Sequence, residues 1–478
     1  MIELERNSFK DKVLACWIGK NIGGTFGGPY EGQRDVLDVR ELSTPSGKPL
    51  PNDDLDLQLV WMRALKDRGP KGVNAQVLGE YWLNYITPYW NEYGIGKGNL
   101  TAGLLPPLSG EYRNYWKHSN GAWIRSEVWA CCAPAAPDVA MRYALEDACV
   151  DHGMGEGTFA ALFTAAVESA AFAERDLNRL LDVGLAKLPP DCRVARAIRV
   201  AREAYAQGVD WQTAREHVVA DSVPELGWFQ APANIGFVVI GLLWGKGDFK
   251  ESMRIAVNCG DDTDCTGATV GALLGVLGGT AALPADWRAH IGDEIVTIAV
   301  NRGACWGIAN TCTELTDMVL SVAPCMLLEN GADARIGDKD DWRGAETFAD
   351  DAQAKRLWQR PAYSYDVDFI HTTCTVGYEG EPVPDANGEL RVTLTFVNRM
   401  PEPRQIRLKW HLPEGVALAE GANCLYLEHD TARLDAKPTV ARYTLRFAAP
   451  QPPFQRILVE AECTGRATAG YLPVLVLG

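Results

Sequence analysis

The chain has 478 residues, 47% of them apolar and 23% charged; this excludes wholesale disorder and exceeds what one compact core holds. A formal net charge of −16 removes any general electrostatic pull toward nucleic acid or an anionic membrane, so neither is expected as a partner. Thirteen cysteines without a C-x-x-C pair read as reduced, mostly buried thiols rather than a zinc module or a disulfide framework.

The start, MIELERNSFKDKVLACWIGK, carries charges where a signal peptide needs its apolar core, and a cytoplasmic protein is expected. The apolar stretches Ile235–Trp244 and Ala268–Leu277 fall short of the roughly 18–20 residues of a membrane span. Residues 1–345 are rich in Ala and Leu at helical spacing and read as an all-α domain. Ala160–Leu181, Val194–Ala206 and Asp286–Val300 are its clearest predicted helices. The aromatic-rich segment Tyr81–Trp116 suits a packed core or a sugar-stacking surface, with core favoured. Character changes between about 331 and 362, where polar sequence reads as a linker with one short helix, and residues 346–362 are assigned to it. From 363 to 478 the period becomes two. Arg391–Arg399, Ile406–Pro413, Val440–Pro450 and Arg456–Cys463 predict a small antiparallel, Ig-like β-sandwich of roughly seven strands.

Two predicted helices begin with crowded acid. Asn258–Gly275 reads NCGDDTDCTGATVGALLG, with Asp261, Asp262 and Asp264 before an apolar run. Gly267, Gly271 and Gly275 then fall on one helix face. Each costs about 1 kcal/mol of helix stability against Ala, which is tolerable where another backbone must come close. The second start is Asn52-Asp53-Asp54-Leu55-Asp56. Such residues cap helix N–H groups and suit the helix dipole. If the two starts meet, their oxygens instead form a site for a hard divalent cation: Mg2+, Mn2+ or Ca2+. Spacing alone leaves both readings open.

The clusters resemble the signature of the ADP-ribosylglycohydrolase family, the group related to dinitrogenase reductase-activating glycohydrolase. Asn52-Asp53-Asp54 is similar to its early Thr-Asp-Asp, and Asp262-Thr263-Asp264-Cys265 to its late Asp-x-Asp-Thr/Ser. Gly19–Gly32, with Glu31, looks like its Gly-Asp-Ala-Leu-Gly segment and the following Glu. Ser119–Arg125 is similar to a Gly-Asn-Gly-x-Ala-Met-Arg loop, and Asp151-His152-Gly153 to a Thr/Ser-His segment before a long helix. The five ordered matches cover most of residues 10–300. Asn52 and Cys265 replace a family Thr and a Thr or Ser, and Gly24 a family Asp, which marks a divergent branch.

The resemblance implies a metal-dependent hydrolase of a ribosyl-type glycosidic bond, with two Mg2+ ions (Mn2+ or Ca2+ as alternatives) holding sugar hydroxyls and water. It implies metal ligation by Asn52, Asp53, Asp54, Asp262 and Asp264, with Cys265 at the last position, although a thiol suits Mg2+ poorly. Asp261 is the spare carboxylate. Glu31, Asp53 and Asp262 take catalytic roles, and Asn120, Arg125, His152 and Asn234 contact substrate. The expected partner is a small-molecule or protein-linked sugar, and a homo-oligomer is compatible with the sequence. Two alternatives stand beside this reading: a glycoside or N-ribosyl hydrolase of a small conjugate without ADP-ribose, and a non-catalytic scaffold.

Overall fold

In the computed structural model of the chain, the helices Arg6–Gly27 and Thr263–Gly278 lie antiparallel with their backbones touching. A Cβ on Gly19 would sit 2.2 Å from the carbonyl oxygen of Gly271, one on Gly23 2.0 Å from that of Gly267, and one on Gly275 2.3 Å from that of Ala15. Ala15, Gly19, Gly23 and Gly27 therefore form a small-residue face at four-residue spacing, which meets the face Thr263, Gly267, Gly271 and Gly275. Thr263–Gly278 is buried almost all round, as its apolar composition requires, and also packs on Ala231–Gly245 and Phe249–Asn258. Asp53–Arg68 docks on Arg6–Gly27.

The structure describes residues 1–45, 47–222, 224–369, 371–429, 437–448, 450 and 452–478. Met1–Gly98 and Ser109–Gln359 form one compact unit; Asn99–Leu108 and Arg360–Gly478 form the other. A ten-residue segment inside the helical sequence thus belongs with the β-rich unit, which no change in composition marks.

Within the helical unit three predicted elements come out differently. Ala160–Leu181 is two helices, Glu156–Ala170 and Leu177–Ala186, because Asp176 caps the second by accepting from Arg179 N at 3.0 Å. The predicted helix Asp286–Val300 is helical only over Ala285–Ile291. Gly292 ends it at φ 75°, and the Asp56 carboxylate then accepts the backbone N–H groups of Ile298 and Ala299, holding that stretch out of a helix. The polar stretch after residue 331 contains the short helix Ala352–Trp358 and also a strand, β2 (Ala334–Gly337), which pairs in parallel with β1 (Ile2–Glu5).

The second unit holds β3 (Ser364–Asp368), β4 (Thr372–Tyr378), β5 (Glu389–Asn398), β6 (Arg404–His411), β7 (Val416–Glu420), β8 (Cys424–Leu427), β9 (Thr439–Phe447), β10 (Phe454–Cys463) and β11 (Ala469–Leu477). Ala449, in the predicted strand Val440–Pro450, lies outside the described residues. The strands form two antiparallel sheets, in the orders β3-β4-β5-β9-β7 and β11-β10-β6-β8. Burial alternates along β4, as expected of a sheet with one face on a core. The sheets are bonded across that core: Tyr365 donates to Pro473 O at 2.5 Å, and Leu475 N donates to the Tyr378 hydroxyl at 2.8 Å.

The helix contact is testable by a single methyl group. Gly23→Ala forces the two backbones apart and should cost at least the ~1–3 kcal/mol of an overpacked core. Gly98→Ala, in a helix with open space around it, should be neutral or stabilise by up to about 1 kcal/mol. Urea midpoints of both variants check this, and equal midpoints would refute the backbone contact.

Candidate metal centre

The antiparallel register brings the C-terminal end of Arg6–Gly27, and the turn Gly28–Tyr30 after it, to the start of Thr263–Gly278. Gly32 N donates to Asp261 O at 2.9 Å and Asp261 N to Gln33 O at 2.7 Å, tying the two segments together. Asp261 takes a left-handed φ of 61°, which Asp tolerates better than most residues. Glu31, on the exposed rim, then stands beside Asp262 and Asp264, one oxygen from each lying within 4.8 Å of the others. A second group at the same spacing is Asp54, Asp264 and Cys265, so Asp264 is shared. Asn52 enters because position 24 is Gly: a Cβ there would lie 2.4 Å from Asn52 Nδ2.

The two acidic helix starts divide the readings that spacing left open. Asn52 is a cap: its Oδ1 accepts from Asp54 N at 2.7 Å, and its Nδ2 faces Asp264 Oδ2 at 3.4 Å. The carbonyl oxygen expected to ligate is thus used by the helix. Asp262 occupies the N-cap position of Thr263–Gly278 but makes no capping bond. Its Oδ2 accepts instead from Asn120 Nδ2 at 2.7 Å, and its backbone N–H donates to Asn234 Oδ1 at 3.1 Å. Asn234 also donates to Trp228 O and Gln230 O. Asn120 and Asn234, both fully buried, therefore position Asp262. Asp53 accepts from the Tyr93 hydroxyl at 2.9 Å, and the Cys265 thiol donates to Asp54 Oδ1 at 3.4 Å. Asp261 faces Arg34, 3.4 Å away.

Electrostatics sharpens this. Burial, then the charge of Asp264, pushes Asp262 well above the carboxylate range. Burial does the same to Asp54, only partly offset by Lys20. Asp53 is raised by burial and by Asp264, against the pull of the Tyr93 bond. Partial desolvation, Asp264 and Asp53 push Glu31 up to about 7. Burial holds the Cys265 thiol protonated, consistent with donation to Asp54 and poor for ligation. Asp54 Oδ2, Asp262 Oδ1 and Asp264 Oδ1 are buried with no hydrogen-bond partner. Asp264 is shared by the two groups, one with Asp54 and one with Asp262, each of these three carries an oxygen with no hydrogen-bond partner, and no cation lines the cavity among the described residues; this donor set fits a hard divalent ion.

The carboxylates open into a cavity of about 330 Å³, walled in part by Trp90, Tyr93, Trp228 and Phe229. Arg125 and His152, expected to contact substrate, are fully buried and do not line it. The Arg125 guanidinium is bound to Asp147 at 2.9 Å, to Asp151 at 2.7 Å and to Gly121 O. His152 Nδ1 lies 2.9 Å from Asp151, and its Nε2 lies 3.2 Å from Ser119 Oγ. Both residues hold the loop 119–125 that carries Asn120. An ionised Arg buried with two Asp partners is a structural joint, since removing one partner strands a buried charge.

The ADP-ribosylglycohydrolase family model matches residues 5–358. The chain belongs to that family. No curated protein matches it. Among solved structures, a chain of an ADP-ribosylglycohydrolase-related protein complex is 21% identical, with 67% of this chain and 99% of that one covered and a TM-score of 0.45. A FixG-related protein from Vibrio parahaemolyticus is 12% identical, with 23% of this chain and 97% of that one covered and a TM-score of 0.19. Family membership points to a glycosyl hydrolase.

In this family member, sequence reasoning passed over Glu92, Trp228, Phe229 and the support behind Asp54. Lys20 and Glu127 form a buried ion pair at 2.6 Å, and Gln58 Nε2 joins Glu127 Oε2 and the Asp54 carbonyl, each at 2.9 Å. The spacing of Asp54 and Gln58, one helical turn apart, was the available signal.

These shifts set a pH dependence. Raised carboxylates hold protons in the native state that the unfolded chain has released above about pH 4. The stability of chelator-treated protein should therefore fall as pH rises from about 4 through 7. A divalent ion competes with those protons, so its stabilising effect should be larger at pH 8 than at pH 5. At a hundred times its Kd the ion should add about 2.7 kcal/mol. Thermal scans with and without Mn2+ or Mg2+ at both pH values check this; an equal effect at both counts against it.

Proposed function

We propose that the chain is a divalent-metal-dependent hydrolase that cleaves a glycosidic bond in the cavity above the carboxylates. The observation that carries the proposal is the set of three buried, partnerless oxygens on Asp54, Asp262 and Asp264. Desolvated like charges at this spacing are costly unless a cation joins them.

Asp54, Asp262 and Asp264 would hold the metal, with Asp53 and Glu31 at its margin and Asn52 seated beside it through its amide. A bound divalent ion supplies charge to orient sugar hydroxyls and to acidify water. Asn120 holds the Asp262 carboxylate and Asn234 its backbone N–H, so the donor set is pre-arranged. Glu31 stands at the exposed rim, where its carboxyl titrates near neutral pH and can move a proton. In hydrolysis the water oxygen bonds to the anomeric carbon, the bond to the leaving group breaks, one water proton passes to Glu31, and the leaving group takes a proton from bulk water, to which Glu31 returns the one it accepted. The substrate is a sugar conjugate, free or attached to a protein.

Asp262→Asn should abolish the divalent-induced rise in Tm together with sugar release. Glu31→Gln should keep the fold and lose about 10²–10⁴ in kcat, the usual worth of a positioned proton-transfer group. Wild-type sugar release that survives exhaustive chelation would refute the metal requirement.

A further inference from the structure

The walls of the cavity carry information about the substrate that the metal cluster does not. Trp90 and Tyr93 are stacked with ring centroids 6.3 Å apart, and Trp228 and Phe229 are paired at 5.1 Å. Ile124 and Ile298 complete the apolar lining. Among the described residues no lysine, arginine or histidine lines this space. Arg125 is bound by Asp147 and Asp151 and Lys20 by Glu127, and half-exposed Arg34, 3.4 Å from Asp261, does not line the space.

The wall carries a further acid. Glu92 is 2% exposed, lines the cavity, and has an Oε2 without a hydrogen-bond partner. Burial, then the charge of Asp151, pushes its carboxyl up to about 8, against Ser119 and Arg125, so near neutral pH it is mainly a protonated donor. An anionic ligand would meet Glu31, Asp53 and the metal-holding carboxylates with no side-chain cation to balance it. Divalent ions in the cluster would at most offset the carboxylates that hold them. The space itself, about 330 Å³, is at the small end of ligand pockets, which run ~300–1,000 Å³.

We infer that the cavity is built for an uncharged glycoside with a flat, aromatic or apolar leaving group, stacked on the aromatic wall, and not for a diphosphate-bearing conjugate. This rests on the glycoside-hydrolase reading for turnover, but the recognition can be measured without it. Aromatic rings hold flat aglycones and sugar faces at low entropic cost.

The test uses metal-loaded wild type with two probe sets: 4-nitrophenyl glycosides of pentoses and hexoses, and ADP-ribosylarginine with free ADP-ribose. Both cleavage and thermal stabilisation are read. The inference expects at least one neutral aryl glycoside to exceed ADP-ribosylarginine in kcat/KM by about 10-fold or more, and to raise Tm where ADP-ribose does not. The reverse order, or stabilisation by ADP-ribose alone, overturns it. Stabilisation by an aryl glycoside with no cleavage of any probe supports the recognition and counts against the hydrolase reading. No cleavage and no stabilisation by either set overturns both. Trp90→Ala should weaken binding of the aryl glycoside about 3- to 10-fold more than that of the methyl glycoside of the same sugar, in line with one stacking contact. Equal weakening of the two counts against stacking.

Discussion

The contact on which the site depends is the backbone-to-backbone packing of Arg6–Gly27 against Thr263–Gly278. Small residues at every fourth position on both helices let the carbonyl of one pass where a side chain would normally stand. Two of the four pairs, Gly19–Gly271 and Gly23–Gly267, are glycine on glycine, and Ala15–Gly275 and Gly27–Thr263 flank them. A slip of one turn is about 5.4 Å. That exceeds the 4.8 Å within which oxygens of Glu31, Asp262 and Asp264 gather, so a slipped pairing would dissolve the cluster. The glycines that weaken each helix in isolation are thus what set the chemistry at its end.

Half of this contact was legible in the sequence. Gly267, Gly271 and Gly275 announce a close approach by their spacing. The partner face, Ala15, Gly19, Gly23 and Gly27, has the same spacing, but Gly19–Gly32 is matched only as a family segment, and its spacing is not read as a helix face. The acidic helix starts were legible as a pair. Their division of labour was not, because capping depends on local geometry: Asn52 reaches the Asp54 amide, whereas Asp262 is drawn away by Asn120 and Asn234. Arg125 and His152 sit in motif positions, yet the long-range partners that bury them, Asp147 and Ser119, follow from tertiary packing alone. The predicted helix Asp286–Val300 failed for a related reason, since the carboxylate of Asp56, more than two hundred residues earlier, takes its amides.

The charges are layered. Behind the carboxylates, Lys20 and Glu127 form a desolvated pair whose Gln58 partner grips the Asp54 backbone. Burial works against the Lys20 charge, but Glu127 and Asp54 outweigh it and hold the amine protonated. Lys20 does not line the cavity, so it steadies Asp54 without offering a counter-charge to a ligand there.

That layering bears on stability as well as on recognition. Several carboxylates pressed together out of water would be expelled from an ordinary core. Here they are retained by directed bonds from Asn120, Tyr93 and Cys265, by Asn234 holding the Asp262 backbone, and by helices too closely packed to part. Strain of this kind persists where the surrounding structure over-determines it. The two helices that meet through glycine supply that over-determination, and they leave the orphaned oxygens no conformational escape except to bind a proton or a cation.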